Sequence, residues 1–490
     1  MSSETPFTPF NDPDSGTGSL FRRSVRGAQI ITVISALTSV FQLGAQVALM
    51  RLLDPEVFGA AAYIVIIVGM ARLLTFQSHK AIIQRKNDIK RLMDNAFTAE
   101  FFIAFVAFLA LFFAAGPLMR RSNEWYFIRE LQVAALGVFA GPLMIPKAIL
   151  EKRLEFAKAN IITFTTAVIT IIVQISLALL GMSLWALIIG GLTGQTAGCL
   201  LAWRLSPYRP HPRWDVHLIR DILKFGSPLA LSAGLAYFYW NIDDLMVKWV
   251  MGTVALGYYS KAFRLPHFGF SAQASLSTLV FPAFSSITDR EQLCRAYGHT
   301  IKYSSYLLLL PVVMVVVFGK EIVFILFGEK WLPISVPFKV FTVLVGIRGI
   351  FNHWVDLYVS RGRTRLVTVL AVTNSILIVS LGYLGIRMAG LVGMSIAVFF
   401  TISLTILFAV IRIHGEFPVA FHRLLGPSLI AAFVTFVTGE LMKPLLIYGL
   451  LGLSGSLVIM VLVYVLMHLL LDGAAVARLW NAAITGLRRS

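Results

Sequence analysis

The chain has 490 residues, 58% of them apolar and only 13% charged, a composition that excludes a water-soluble domain of this length. The formal net charge of +18 would suit a nucleic-acid partner if it were gathered on one surface, but the basic residues are dealt out between apolar runs. What remains is an all-α integral membrane protein.

The first 21 residues are polar and carry Pro6, Pro9, Pro13 and Gly16. They lack the basic-then-apolar order of a cleaved signal peptide, so a disordered cytoplasmic tail is expected, followed by an uncleaved start-transfer helix. A spanning helix takes about 20 mostly apolar residues. About fourteen such runs can be placed, at 28–50, 57–76, 96–118, 131–150, 159–180, 183–203, 226–247, 254–284, 299–319, 334–357, 366–386, 389–411, 425–446 and 449–471. Loops between them then alternate sides. One side holds Arg22, Arg23, Arg26, Lys80, Arg85, Lys86, Lys90, Arg91, Lys147, Lys152, Arg153, Lys158, the 204–224 loop, Arg361, Arg363, Arg365 and the tail arginines. That side carries about 28 Lys and Arg and the other about 9, which places the richer side and both termini in the cytoplasm. Attraction to anionic lipids is a by-product of this bias.

A repeat organises the runs. Arg51-Leu-Leu-Asp-Pro-Glu-Val-Phe-Gly59 aligns with Trp249-Val-Met-Gly-Thr-Val-Ala-Leu-Gly257 at an offset of about 198 residues, and Gly27 with Gly226. Six spans separate the copies, so the halves share one orientation, as in transporters built from two parallel halves with the substrate site between them. Chance agreement between apolar segments is the competing explanation. The expected organisation is a tail at 1–21, a six-helix lobe at 22–203, a cytoplasmic linker at 204–224 rich in proline and arginine, and a second six-helix lobe at 225–415. Two accessory transmembrane helices at 416–472 and a cytoplasmic tail at 473–490 complete it. The accessory pair, with only Glu440, Lys443 and His468 as notable polar residues, reads as lipid-facing.

Charges within spans are costly and tend to face a bundle interior. Here they are Arg72, Asp243, Asp244, Lys248, Lys261, Arg264, Lys339, Arg348 and Asp356. Asn241, Asp244 and Lys248 fall on one helical face, Lys261 and Arg264 on another, and Arg348, Asn352 and Asp356 form a stripe with His353 and Trp354 alongside. Two readings follow. In one, the cations line a hydrophilic cavity, where Arg and Lys suit a phosphate and Asn, His and an indole N–H suit sugar hydroxyls. In the other, Asp244–Lys248 and Arg348–Asp356 are structural pairs, or the long side chains snorkel to water. Pro228, Pro266, Pro282 and Pro311 fall in or at the ends of spans, where they can kink a helix. Gln29, Gln42, Gln46, Gln174 and Gln195 read as helix–helix contacts rather than ligand contacts.

Enzyme signatures are missing. There is no Gly-rich phosphate loop ending in Lys-Ser or Lys-Thr, and no His/Cys set with metal spacing, so neither cofactor nor metal is expected. The two cysteines, Cys199 and Cys294, suggest no disulfide framework. Asp54 and Glu56 could serve as the acids of a membrane glycosyltransferase, but Asp-Pro at a span start reads better as a turn.

Three motifs, Leu52-Leu-Asp-Pro-Glu-Val-Phe-Gly59, Asp243-Asp-Leu-Met-Val-Lys248 with Leu256-Gly-Tyr-Tyr-Ser-Lys-Ala-Phe263, and Phe327-Gly-Glu-Lys-Trp331, occur in this order. Together they resemble the bacterial polysaccharide transporters, the Wzx-type flippases of the multidrug/oligosaccharidyl-lipid/polysaccharide exporter superfamily. The resemblance spans residues 22–415 and is nearest the exopolysaccharide branch. It implies a bundle like that of the multidrug exporters, with two six-helix lobes, and an undecaprenyl-diphosphate-linked oligosaccharide as cargo. It also implies cavity cations, a role that falls on Lys261, Arg264 and Arg348. One departure stands out: residues 28–50 contain no Lys or Arg.

The expected function is therefore flipping of lipid-linked oligosaccharide repeat units across a bacterial inner membrane by alternating access. Lys261, Arg264, Arg348, Asn352 and His353 are the candidate substrate contacts, and Asp243, Asp244 and Asp356 the candidate ion-coupling carboxylates. Expected partners are the lipid-linked substrate and membrane lipids, not nucleic acid, with a polysaccharide polymerase or export complex as a further candidate. The rivals are a multidrug/cation antiporter of the same superfamily and a membrane-embedded glycosyltransferase or polymerase.

Overall fold

A chain that crosses hydrocarbon must satisfy its backbone within each segment, and a helix does so. The computed structural model of the protein describes residues 38–73, 89–122, 124–153, 155–269, 280, 283–444 and 449–488, and among them there is no strand. The tail 1–21, Gln29, the basic residues Lys80, Arg85 and Lys86, and Pro282 lie outside the described residues.

Among the described residues, fourteen helical segments follow in the expected order. They are α1 (38–52), α2 (Pro55–Arg72), α3 (Ile89–Arg121), α4 (Trp125–Lys152), α5 (Phe156–Leu179), α6 (Ser183–Leu205), α7 (Val216–Met251), α8 (Thr253–Gly269), α9 (Arg290–Phe327) and α10 (Glu329–Ser360). Residues Thr364–Glu416 form one helical stretch divided at Ala389 and Gly390, the latter at φ +56°, into α11 and α12. Next come α13 (Phe421–Met442) and α14 (Leu450–Arg488). Ten helices among the described residues are long and apolar enough to cross a membrane; α1, α7 and α8 are not among them, and Thr364–Glu416 counts as one.

Two passes are not single helices. α4 alternates 3-10 and α-helical pieces across Gly137, Gly141, Pro142 and Pro146, because proline lacks a backbone donor and glycine weakens a helix interior. α10 breaks at Asn352, between Ser335–Phe351 and His353–Ser360. Pro228 and Pro266 lie within continuous helices, and α9 departs from helical geometry at Phe318 rather than at Pro311.

The passes fall into two compact units, one of Met1–Gln42 and Ile64–Tyr237, the other of Leu43–Tyr63 and Phe238–Ser490. In the first, α5 and α6 form a close seam. Gly190, Gly194 and Gly198 face Gln174, Thr170 and Thr166, so a Cβ on any of the three would come within 2.4 Å of a side chain. This is the small-residue packing by which helices associate in lipid, where no hydrophobic force drives them together. The predicted linker is docked rather than free. Tyr208 Oη donates to Asp94 Oδ1 at 2.5 Å, and the backbone N–H groups of His211, Arg213 and Asp215 donate to Asp94, Thr98 and Asn95 at the start of α3.

In the second unit, α9 is the central element. One core packs Leu308 and Val312 against Val345, Ile350 and Trp354 of α10, and a second packs Val317 and Phe318 against Ala431 of α13 and Met460 and Tyr464 of α14. Loops assigned to one side converge. The turn after α1 meets that after α9 through Lys330–Asp54 (3.0 Å), Arg51 Nε to the Leu326 carbonyl (2.8 Å) and Trp331 Nε1 to the Met50 carbonyl (2.7 Å). Trp331 is fully buried, edge-on to Phe58 and Tyr258. The three motifs that carry the family resemblance thus meet in one knot. Here Asp54 is a helix-start residue, with Pro55 opening α2 and the Val57 N–H bonded to the Asp54 carbonyl. On the opposite, arginine-rich face, Arg361 reaches the Ile287 carbonyl at 2.7 Å and Arg290 the Glu416 carbonyl.

The repeat has a structural counterpart in the same knot. A Cβ on Gly59 would lie 1.9 Å from the Thr253 carbonyl oxygen, and a Cβ on Gly257 would lie 1.9 Å from that of Pro55. Each copy's glycine thus faces the other copy's first-turn carbonyl, a backbone approach open only to glycine.

Candidate functional site

The polar residues of α7 and α8 gather in the second unit because their spacing puts them on facing helix surfaces. Asn241, Asp243, Asp244 and Lys248 are all buried. Asp243 accepts a hydrogen bond from Tyr259 Oη at 2.9 Å, which anchors the carboxylate to α8. Asp244 is 4% exposed and stands 3.6 Å from Arg264, while its Oδ1 has no hydrogen-bond partner among the described residues. That separation is an ion pair without a proper hydrogen bond. The Arg264 side chain is 47% exposed, so most of its five donors stay available.

One turn earlier on α8, Lys261 donates to Gln46 Oε1 of α1 at 2.5 Å and sits 3.9 Å from the Phe58 ring centroid. The amide fixes the ammonium without neutralising it, and the ring face adds a weak electrostatic attraction. His267, two turns after Lys261, lies within the electrostatic reach of both Arg264 and Arg348. Arg348 is half-buried on α10 and lies over the Trp240 ring of α7, 4.7 Å from its centroid.

The structure therefore brings together Lys261, Arg264, Asp243 and Asp244, with Arg348 on the adjoining helix. It does not bring Asn352, His353 and Asp356 to the same place. Asn352 is exposed at the break in α10. His353 is 1% exposed, with Nε2 at 3.2 Å from Ser304 Oγ and Nδ1 at 3.5 Å from Asp356. Asp244 lies beside Arg264, while Arg348 and Asp356 have different neighbours. Gln46, Phe58, Tyr259, Trp240 and His267 complete the cluster, and sequence reasoning did not assign any of them to it. Gln46 had been read only as a helix–helix contact, and its lysine partner is 215 residues away.

Chemically, the cluster offers three cations that keep donors free and two carboxylates held by neighbours. It suits an anion with several acceptor oxygens better than a cation.

Comparison with known proteins bears on the same region. The family described as "Polysaccharide biosynthesis protein" matches residues 48–336. The lipopolysaccharide biosynthesis protein WzxC of Escherichia coli (strain K12) is 22% identical over 390 residues, 77% of this chain and 78% of that one. The succinoglycan biosynthesis transport protein ExoT of Rhizobium meliloti (strain 1021) is 21% identical over 58% of each chain. Among solved structures, the lipid II flippase MurJ in an inward closed conformation superposes with a TM-score of 0.72 at 14% identity, covering 92% of this chain and 99% of that one. An inward-facing multidrug resistance transporter of the MOP superfamily superposes with a TM-score of 0.59 at 16% identity, covering 79% and 98%. These two likenesses establish the fold.

Proposed function

The chain belongs to the polysaccharide biosynthesis protein family, and from that premise we propose that it flips undecaprenyl-diphosphate-linked oligosaccharide repeat units from the cytoplasmic to the periplasmic leaflet of a bacterial inner membrane. It is a multi-pass membrane protein of the exporter fold and a transporter of polysaccharide biosynthesis. The finer reading concerns cargo and mechanism.

The obstacle to flipping is the headgroup. A diphosphate and many hydroxyls cannot enter hydrocarbon without polar partners. The observation that carries the reading is Arg264, a half-exposed guanidinium held loosely by Asp244, one turn from Lys261 on the same face of α8. Its donors can exchange from the carboxylate to a phosphate without disturbing backbone. Arg348 supplies a third cation, and the exposed Asn352 a sugar contact. Asp243 and Asp244 are the coupling candidates, because a carboxylate that loses Arg264 to the substrate gains affinity for a proton or cation. Alternating access then carries the site from one leaflet to the other. Both termini lie in the cytoplasm, and a polymerase or export complex takes up the product outside.

The test is a deletion strain complemented with wild type or Arg264→Glu. Lipid-linked oligosaccharides are extracted, and the leaflet of the completed repeat unit is read by its accessibility to a membrane-impermeant label. Completed units trapped on the cytoplasmic side, with no polymer, are expected for the deletion and for the variant. Completed units that reach the periplasm unpolymerised would overturn the reading in favour of a polymerase.

A further inference from the structure

On the arginine-rich face, away from the α7–α8 cluster, lies a cavity of ≈ 930 Å³ at the junction of α9, α10, α11 and α12. Arg290, Arg363, Arg365 and Arg412 line it, with Glu416 as the acid. Glu416 is heavily shared. Arg363 pairs with its Oε2, Arg412 Nε stands 3.9 Å from Oε1, and Arg290 Nε donates to its backbone carbonyl at 3.1 Å. Arg365 is exposed and has no partner among the described residues. Four guanidinium groups against one carboxylate leave a formal excess of three positive charges in one cavity. Their mutual repulsion persists over these distances, since the Debye length in physiological salt is about 8 Å. The amino end of α11 opens into the same cavity, with Arg363 as its N-cap, and its first backbone N–H groups add to the positive potential. A phosphate, with more acceptor oxygens than a carboxylate, can answer several guanidinium groups at once.

A second feature fixes the class of molecule that bears this phosphate. Val369 belongs to the cavity wall, and from it Val372, Ile376 and Val379 continue along α11 at helical spacing, all exposed. On a membrane-spanning helix an exposed aliphatic stripe faces lipid tails. The charged cavity and the apolar stripe are continuous through Val369, so the whole surface fits an amphiphile, and a soluble phosphate would use only the head of it.

We propose that this cavity binds the phosphate headgroup of an anionic bilayer lipid, whose acyl chains lie along the Val369–Val379 face of α11. The site is separate from the transport cluster and does not depend on the flipping reading.

The test uses the full chain in vesicles of phosphatidylcholine containing a few per cent spin-labelled phosphatidylglycerol or spin-labelled phosphatidylcholine. The fraction of label immobilised by the protein gives a relative affinity. Wild type is expected to favour phosphatidylglycerol, and Arg365→Gln and Arg412→Gln each to weaken that preference about fivefold, the worth of one arginine near a lipid surface. Arg365 makes no polar contact among the described residues, so its variant should elute like wild type. Inorganic phosphate added in solution should leave the preference unchanged. Equal affinity for the two lipids, or a preference that survives in the double variant, would overturn the proposal. Competition by inorganic phosphate would also overturn it, by making this a site for a soluble anion.

Discussion

Two polar clusters in this molecule bury acids to a similar degree and use them differently. At the start of α3, Asp94 is fully buried and Asp94 Oδ1 accepts both the Tyr208 hydroxyl and the His211 N–H. Asn95 and Thr98 beside it accept the N–H groups of Asp215 and Arg213, while Asp94 Oδ2 is left to Arg213 Nε at 3.9 Å. In the α7–α8 cluster, Asp244 is as hidden, but the contacts that tie one helix to another run between side chains: Arg264 for Asp244, Tyr259 for Asp243, Gln46 for Lys261. Backbone donors cannot be withdrawn without moving the chain, so the α3 cluster is an anchor for the linker. Side chains on long stems can change partner, so the α7–α8 cluster can trade one of its own groups for a ligand. The difference lies in who supplies the donors, not in how much charge is buried.

The comparison can be broken most forcefully at Asp94. Asp94→Ala leaves two donors without an acceptor and is expected to cost about 3 kcal/mol. It should lower the thermal midpoint in detergent by several degrees, while transport per folded molecule stays at the wild-type level. A midpoint that does not move would make the linker contact incidental. Next in size is the pair at Arg264. Arg264→Gln is expected to reduce transport about tenfold, the worth of one charged hydrogen bond to cargo. Adding Asp244→Asn removes the acid left behind. If Arg264 serves only to neutralise Asp244, the double variant recovers transport; if it contacts cargo, transport stays low. The smallest effect concerns Asp215, a half-buried residue beside the anchor. The Leu218 N–H, followed by Arg91, holds its carboxyl below the usual carboxylate range. A depressed folded value means that the stabilisation is complete above the unfolded value of about 3.9 and fades as pH falls through the folded one. Limited proteolysis of the linker should therefore accelerate below about pH 4 in wild type. Asp215→Asn should show that acid sensitivity much reduced.

Much of the fold was legible because hydrocarbon imposes a length and alternating loops impose a side. Residues 389–411 and 425–446 could be placed as spans from hydropathy alone, and α12 and α13 lie there. The spacing of Lys261 and Arg264 shows that they share a face of α8. Their partners were not legible, since Gln46 and Asp244 come from other helices and hydropathy carries no information on which helices meet. The breaks in α4 had a local cue in Gly141, Pro142 and Pro146, overridden by the apolar run around them. The α5–α6 seam also had one, glycines at every fourth position from 190 to 198. Docking of the linker had none. Pro207, Pro210 and Pro212 read as a spacer, and the acceptors that tie it down lie more than a hundred residues earlier.

The crossing of Gly59 and Gly257 carries a consequence for how this chain can change. Each glycine faces the carbonyl of the other copy's Pro55 or Thr253, so the contact is isologous, like the interface of a two-fold dimer folded into one polypeptide. A side chain at either position separates the same two backbones. Once they are apart, a side chain at the second position meets a gap already opened. Two codons about 198 apart thus form a single mutational target: the first loss at either should carry most of the damage, and the second comparatively little. In an ancestor whose halves were separate chains, one substitution would have struck both sides of that contact at once.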